Sequence, residues 1–254
     1  MSAKKRLDVA LVDRGLVESR EKAQRLILAG HVRVGDAPAT KASQSVNTED
    51  ALAVQAQEKF VGRGGLKLEA ALDHFQVSCR DKVCLDLGAS TGGFTDCLLQ
   101  HGARRVFAVD VGENLIAWKL RNDPRVRLLE NTNARYLKPA LFDEPADLVT
   151  ADVSFISLKK ILQAARDCIR DQSDFIVLIK PQFEAGREKV ERGGVVRDPA
   201  VHQEVIESIR SFVEGSLNAI WRGIVESPVM GPAGNREFLA WFKVGEGTPV
   251  PRQK

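Results

Sequence analysis

The sequence predicts an α/β protein with a mostly parallel seven-stranded sheet, preceded by a small α+β module. Three observations support this. Short apolar segments alternate with helical stretches from residue 83 to residue 179, a glycine-rich turn follows the first of these segments, and the composition changes near residue 60. Near-continuous apolar strands joined by helices are typical of a parallel sheet buried on both faces. The 254 residues, 44% of them hydrophobic, suffice for one large and one small domain.

The first block, residues 1–59, is predicted to form the small module. Leu7 and Leu11 share one face of a helix, and Ser19 is suited to cap a second helix that Gly30 would end. Alternating residues around Val32–Val34 and Leu52–Val54 favour short strands. Residues 60–66, which contain three glycines, are interpreted as a linker.

The second block, residues 67–246, is predicted to contain the seven-stranded sheet, with residues 247–254 as a tail. Five apolar segments are the expected parallel strands: Val83–Leu87, Val106–Val109, Val126–Leu129, Leu148–Ala151 and Phe175–Ile179. A final pair, Ala219–Val225 and Phe238–Val244, is expected to complete the sheet in antiparallel orientation.

The hydropathy and the spacing of cysteines and histidines exclude several classes of protein. The net charge of +3 indicates neither presence nor absence of a polyanionic partner. The sequence contains neither a secretory signal nor an apolar run of the ~20 residues that a membrane helix needs, so we expect a cytoplasmic protein without a membrane partner. The four cysteines and four histidines lack metal-site spacing, and no metal is expected.

A glycine-rich turn after the first strand is the strongest cofactor signal. It matches neither the dinucleotide fingerprint nor a P-loop. Its acidic residue, Asp86, suits a ligand with an ammonium group and no phosphates. Asp110 ends the second strand, where an acidic side chain commonly binds the ribose of an adenosine.

These two features favour S-adenosylmethionine over NAD, whereas the alternative is a glycine turn and an aspartate that merely end two strands. The predicted cofactor-binding residues are Asp86, Gly88, Ser90, Thr91, Gly92, Gly93, Phe94, Asp110 and Asp152.

Two further polar residues end neighbouring strands of the predicted sheet. Asp152 follows the fourth strand and Lys180 the fifth, so both should project into the crevice at the carboxyl edge. Methyl transfer to a ribose hydroxyl requires removal of a proton, and a lysine can do this where burial and a nearby sulfonium destabilise its ammonium form. The alternatives are a solvated lysine and a helix-capping aspartate. The segment Asp152-Val-Ser-Phe155 lacks the prolines typical of adenine-directed methyltransferases.

Five segments together resemble the TlyA-type family of ribosomal RNA cytidine 2'-O-methyltransferases, whose members are also labelled hemolysins. They are Gly64-Gly-Leu-Lys-Leu68, Asp86-Leu-Gly-Ala-Ser-Thr-Gly-Gly-Phe-Thr95, Asp152-Val-Ser-Phe-Ile-Ser157, Lys180-Pro-Gln-Phe-Glu184 and Gly234-Asn-Arg-Glu237.

The resemblance covers nearly the whole chain. It implies an FtsJ-like catalytic domain with a Rossmann-like fold that uses S-adenosylmethionine. It also implies a Lys-Asp-Lys-Glu tetrad, here Lys67, Asp152, Lys180 and Glu237, with Lys180 as the expected base. The residues alone do not distinguish Lys67 and Glu237 from solvated side chains.

The first block also carries a concentration of positive charge. Residues 4–33 contain eight basic and four acidic side chains, which favours contact with phosphates, although a solvated helix with a Glu21–Arg25 ion pair is the alternative. The segments Arg6–Leu11 and Ser19–Val34 resemble the alpha-L RNA-binding motif, so ribosomal RNA or a ribosomal subunit is the expected partner. The predicted RNA-binding residues are Arg6, Arg14, Arg20, Lys22, Arg25, Arg33, Arg187 and Lys189. Phe155 is the candidate for contact with a base.

Three functions other than ribose methylation remain open at this point. One is a hemolysin-like, membrane-active protein, for which the sequence offers no amphipathic membrane stripe. Another is an RNA-binding protein with a non-catalytic methyltransferase fold, which the intact tetrad disfavours. The third, a base-directed methyltransferase, would differ in where the methyl group is placed.

Overall fold

The computed structural model describes residues 4–54 and 58–245, and the predicted tail lies outside these ranges. The chain divides into two compact units, Met1–Glu58 and Lys59–Lys254. Each unit buries its own apolar core.

The described part of the N-terminal unit consists of two helices and short antiparallel strands. Its elements are β1 (Lys5–Arg6), α1 (Leu7–Asp13), α2 (Arg20–Leu28), β2 (Val32–Val34), β3 (Ala37–Pro38), β4 (Ser45–Val46) and β5 (Leu52–Val54). Strand β1 pairs with β4, and β2 lies between β3 and β5. The Ser19 hydroxyl accepts a hydrogen bond from the Lys22 backbone N–H at 3.2 Å, and so caps α2 as predicted. Leu7, Leu11 and Ile27 form the centre of the core.

The C-terminal unit alternates strands with helices along most of its length. Its elements are α3 (Gly64–Phe75), β6 (Val83–Leu87), α4 (Gly93–Gln100), β7 (Arg105–Val109), α5 (Trp118–Arg121), β8 (Val126–Leu129), β9 (Ala146–Ala151), α6 (Leu158–Arg166), β10 (Ile169–Ile179), α7 (Pro181–Glu184), α8 (Pro199–Ser216), β11 (Ala219–Glu226) and β12 (Phe238–Val244), with 3₁₀ turns at Ala134–Tyr136, Pro139–Leu141 and Arg187–Lys189.

One sheet joins the seven strands in the described part of this unit in the order β11-β12-β10-β9-β6-β7-β8. Strand β12 is antiparallel to both β10 and β11, and the other pairs are parallel. The predicted Rossmann-like, mostly parallel seven-stranded sheet is therefore confirmed. Strand β10 begins at Ile169 rather than at Phe175, because Ile169 pairs with Ala146 ahead of a shift in register.

Helices cover both faces of this sheet. Val83, Leu85 and Leu87 of β6 belong to the core under α6 and α8, whereas Cys84 belongs to the core under α3 and α4. This alternation follows from the two-residue period of a strand, and it places the side chain of Asp86 on the α3 and α4 side.

The segment predicted as a linker is packed onto the C-terminal unit instead. Phe60 is 3% exposed and belongs to the core under α3 and α4. The backbone N–H of Val61 donates to Asp96 Oδ2 at 2.8 Å, and α3 already begins at Gly64. The two apolar side chains, Phe60 and Val61, explain this packing, since burying them removes apolar surface from water.

Candidate active site

A cavity of about 610 Å³ opens in the C-terminal unit at the carboxyl ends of the central strands. All four residues of the predicted tetrad, Lys67, Asp152, Lys180 and Glu237, line it. Part of the glycine-rich turn and the hairpin around Gly193 complete the lining. Residues that are far apart in the sequence thus meet in one space of the size typical for small-molecule sites.

Lys180 and Asp152 form one ion pair of the cavity. Lys180 Nζ lies 2.5 Å from Asp152 Oδ1 and donates a second hydrogen bond to Ser154 Oγ at 3.0 Å. The two side chains are 10% and 21% exposed. Because β9 and β10 are parallel neighbours, the residues that follow them meet at one edge, as the sequence predicted. Two contacts on the Lys180 nitrogen leave one position on that nitrogen for a ligand.

Lys67 and Glu237 form the second ion pair. Lys67 Nζ, from the first turn of α3, donates to Glu237 Oε2 at 2.5 Å, and Glu237 is 1% exposed. The other oxygen, Glu237 Oε1, is buried and has no hydrogen-bond partner within the described residues. A buried acceptor without a donor is costly, so this oxygen is suited to a hydroxyl that enters the cavity.

The glycine-rich turn approaches the end of β9 very closely. Gly88 has φ of +81°, and a Cβ atom at this position would lie 2.4 Å from the carbonyl oxygen of Asp152. Only glycine satisfies both conditions. Six of the predicted cofactor-binding residues line the cavity, namely Gly88, Ser90, Thr91, Gly93, Phe94 and Asp152.

The other predicted cofactor-binding residues are Asp86, Gly92 and Asp110, and they do not line the cavity. A Cβ on Gly92 would lie 2.3 Å from Leu120 Cδ1, so this glycine allows α5 to pack on the turn. Asp110 accepts hydrogen bonds from the backbone N–H groups of Ser90 at 2.8 Å and Gly112 at 2.7 Å. Gly92 and Asp110 therefore stabilise the conformation of the glycine-rich turn without lining the cavity.

Asp86 is enclosed beneath the turn. Its side chain is 0% exposed, and its two oxygens accept hydrogen bonds from the hydroxyls of Thr95 at 2.6 Å and Thr150 at 3.1 Å. Burial raises the pKa of Asp86 to about 7. The side chain of Asp86 thus points into the α3 and α4 layer rather than off the strand end, and both of its oxygens are occupied by threonine hydroxyls.

Two residues of the segments that resemble the TlyA-type family have structural roles that the sequence did not indicate. Asn235 is 2% exposed; its Oδ1 accepts from the Val196 N–H and its Nδ2 donates to the Gly194 carbonyl, both at 2.9 Å. It thereby ties the hairpin at the cavity to the turn before β12. Glu184 accepts from the Ser157 hydroxyl and the Leu158 N–H, each at 2.7 Å, and so caps α6.

The predicted RNA-binding residues of the N-terminal unit are largely held by internal contacts. Arg6 and Arg20 donate to the fully buried Asp8 at 3.0 Å and 2.9 Å, while their side chains stay 47% and 54% exposed. Lys22 pairs with Glu18 at 2.5 Å. Arg14 donates to backbone carbonyls of residues 47, 48 and 50, and Arg33 to that of Asp36.

Three cations in the chain differ in how they are held. Arg25 forms no ion pair within the described residues, so the Glu21–Arg25 pair considered from the sequence is not formed. In the C-terminal unit Lys189 pairs with Glu204 at 2.5 Å, whereas Arg187 is exposed. Arg25 and Arg187 are thus the predicted cations with the most freedom to meet a phosphate.

Neither a membrane helix nor a metal cluster is found in the described ranges. No helix of residues 4–54 and 58–245 is long and apolar enough to cross a bilayer. Over the same ranges no group of three or more His, Cys, Asp or Glu side chains could hold a metal ion.

Comparison with known families fits this arrangement. Residues 60–244 match the family described as FtsJ-like methyltransferase, and residues 5–52 match the S4 domain. The chain belongs to the FtsJ-like methyltransferase family. The family and the methyltransferase fold that the sequence predicted are thereby confirmed.

Several proteins are similar to this chain over nearly its full length. YqxC of Bacillus subtilis is 48% identical over 259 residues, covering 100% of this chain and 92% of that protein. The 16S/23S rRNA (cytidine-2'-O)-methyltransferase TlyA of Mycobacterium tuberculosis is 44% identical over 246 residues, covering 96% and 91%. A solved structure of a hemolysin-named protein from Streptococcus thermophilus is 40% identical, with a TM-score of 0.74 and coverage of 99% and 93%.

Proposed function

We propose that this protein transfers a methyl group from S-adenosylmethionine to the 2'-hydroxyl of a cytidine in ribosomal RNA. The observation that carries the proposal is the convergence of two lysine–carboxylate pairs on one cavity beside a glycine-rich turn. The names of similar proteins, among them TlyA of M. tuberculosis, support ribosomal RNA and cytidine as the substrate class. The S4 domain supports RNA as the partner.

The residues around the turn fit the proposed cofactor. Gly88 brings the backbone within reach of a ligand at the strand ends, and the turn lacks the fingerprint that cradles phosphates. Ser90, Thr91, Gly93 and Phe94 would hold the cofactor, and Asp152 would lie beside its reactive end. When bound, S-adenosylmethionine supplies an electrophilic methyl group on a sulfonium centre.

Lys180 is the proposed general base. Asp152 and Ser154 fix its nitrogen, so that one position of the neutral amine can accept the proton of the ribose hydroxyl. Asp152 then stabilises the ammonium that results, at a distance of 2.5 Å. Lys67 holds Glu237, whose free Oε1 would accept a hydrogen bond from a ribose hydroxyl and orient the sugar.

Phe155 is proposed to stack on the target base. It lines the cavity, its side chain is 90% exposed, and its φ of +63° is uncommon for a bulky residue. Its ring lies 4.9 Å from that of Phe183, next to Lys180. A strained backbone that presents an aromatic ring to solvent fits recognition of an unstacked base.

Nucleoside analysis tests the proposed reaction. Ribosomal subunits from cells lacking this gene are incubated with the purified protein and S-adenosylmethionine, and the RNA is digested and analysed by mass spectrometry. We expect 2'-O-methylcytidine to form with wild type and not with Lys180→Ala. A methyl group on a base, or no transfer to any ribosomal RNA, would contradict the proposal.

A further inference from the structure

Asp86 links two elements that each lie next to residues of the cavity. Thr95, which donates to Asp86 Oδ2 at 2.6 Å, lies in the first turn of α4 next to the cavity residue Phe94. Thr150, which donates to Asp86 Oδ1 at 3.1 Å, lies in β9 two residues before Asp152. The carboxyl of Asp86 thus joins the wall of the proposed cofactor site to the strand that carries Asp152.

Each member of this bridge is buried. Asp86, Thr95 and Thr150 are all 0% exposed, and both oxygens of the carboxyl are occupied. A buried hydrogen-bonded network that is fully satisfied fixes its members in one arrangement. The network therefore fixes the position of α4 relative to β9. Neither oxygen of the carboxyl is free to bind a ligand.

We propose that Asp86 is a positioning residue, which fixes the position of Asp152 relative to the glycine-rich turn through Thr150 and Thr95. This inference rests on the proposed function, because the relative position of the two groups matters only if the turn holds the cofactor and Asp152 serves the reaction. It replaces the expectation that Asp86 attracts the cofactor by its charge.

The surroundings of Asp86 indicate that its two hydrogen bonds do not require a full negative charge on the carboxyl. Burial, with a smaller contribution from the neighbouring charge of Asp152 at the end of β9, raises the pKa of this carboxyl to about 7. The groups that face Asp86 from α4 and β9 are the uncharged hydroxyls of Thr95 and Thr150. An uncharged carboxamide is able to make the same two contacts, since it offers one acceptor and one donor group to hydroxyls that can do either.

The test compares two substitutions of Asp86 by calorimetry with S-adenosylhomocysteine and by methylation kinetics. Asp86→Ala removes the bridge, and we expect affinity and kcat each to fall by about 10-fold to 100-fold, since small displacements at a reacting site cost this much. Asp86→Asn should restore most of both at about pH 6, where the wild-type carboxyl is mainly protonated. The KM for RNA should not change in either variant.

Thr150→Val and Thr95→Val remove one arm each with little change of volume. We expect each to lower affinity and kcat by about fivefold, the usual scale of one buried hydrogen bond. Ser173→Ala is the matched control, because it removes a buried hydroxyl that lies 2.9 Å and 2.8 Å from the carbonyl oxygens of Ala146 and Arg170 at the other end of the sheet. It should lower stability without changing affinity or kcat.

Two results would overturn the positioning role. If Asp86→Asn lost affinity as severely as Asp86→Ala at every pH, the charge itself would act on the cofactor. If folded Thr150→Val and Thr95→Val proteins matched Ser173→Ala in affinity and kcat, the bridge would not position the site, even where Asp86→Ala fails to fold. Absence of cofactor binding in wild type would instead refute the proposed function.

Discussion

Lys67 Nζ lies 2.5 Å from Glu237 Oε2, although 170 positions separate the two residues in the chain. The contact depends on strand β12, which pairs antiparallel with β10 so that Phe238 lies opposite Ile179. Glu237 therefore arrives at the same edge of the sheet as Lys180. Removing one partner alone would leave a buried charge uncompensated, which makes each residue sensitive to substitution.

A substitution next to Glu237 tests its proposed role without altering the carboxylate. A Cβ at Gly231 would lie 2.5 Å from Glu237 Oε1, so Gly231→Ala should displace this oxygen. We expect the methylation rate to fall by about 10-fold or more while the fold is kept. Gly215→Ala in α8 is the control, because nothing lies within 4 Å of its Cβ, and alanine should stabilise the helix by about 0.5–1 kcal/mol. Normal turnover of Gly231→Ala would show that the position of Glu237 Oε1 is not critical.

Asp8 should hold the N-terminal unit together. It is fully buried and accepts from Arg6, Arg20 and Gln24, and the Arg6 contact holds its pKa well below the usual range. Asp8→Ala should cost about 1–2 kcal/mol, since it leaves these donors without an acceptor. The stability that Asp8 provides is present above its ordinary pKa of 3.8 and is lost as the pH falls below it. Hydrogen exchange of the amides in α1 and α2 would measure both effects, and unchanged protection in the variant would contradict them.

The strands of the catalytic sheet could be predicted because apolar runs have clear ends. Val126–Leu129 and Phe238–Val244 agree with the predicted bounds, and each is flanked by polar or turn-forming residues. The early start of β10 could not be predicted, since Arg170-Asp-Gln-Ser173 is polar and spans the shift in register between the paired residues Ile169 and Asp174. The packing of Phe60 could not be predicted either, because a single aromatic residue in a glycine-rich stretch has no periodicity that would indicate burial.

The site was predictable to the extent that it depends on strand ends. Asp152 and Lys180 end adjacent parallel strands, and this alone places them together. Lys67 and Glu237 meet only after β12 has inserted beside β10, so the residues by themselves did not reveal the pair. The burial of Asp86 could not be predicted from an acid near a strand end, because the alternation along β6 turns that side chain into a helix layer.

The elevated pKa of Asp86 predicts a pH-dependent stability. The folded protein binds this proton more tightly than the unfolded chain, so the wild-type stability should fall as the pH rises from about 4 to about 7 and then level off. Asp86→Asn lacks this effect, and its stability relative to wild type should increase by up to about 4 kcal/mol over that range. Urea unfolding followed by tryptophan fluorescence reports the C-terminal unit, which contains all three tryptophans. A constant difference between pH 5 and pH 8 would contradict the raised pKa.

Removal of the N-terminal unit should separate RNA affinity from cofactor binding. Deleting residues 1–58 keeps Lys59, Phe60 and Val61, which pack on the C-terminal unit, and should leave a folded protein that binds S-adenosylhomocysteine. RNA affinity and its steep dependence on salt should be lost, because the basic block is removed. Deleting residues 1–62 is the comparison, and loss of Phe60 and Val61 should lower its melting temperature. Equal RNA affinity of the full chain and the first deletion would refute this division.

The identity of the general base can be tested at Lys180 itself. Lys180→Ala should leave folding and RNA affinity nearly unchanged and lower the methylation rate by ~10²-fold or more, the usual scale for a lost base. Lys180→Arg keeps the positive charge beside Asp152 but does not release its proton in the relevant range, so it should not restore turnover.

Double substitutions extend this test of Lys180. Asp152→Ala added to Lys180→Ala should cost less than Asp152→Ala alone costs in wild type, since the two residues act as one unit. Single-turnover rates with saturating RNA and S-adenosylmethionine would measure the chemical step in each variant. If Lys180→Arg kept near-normal turnover, Lys180 would serve through its charge, and the hydroxyl proton would have to leave by another route.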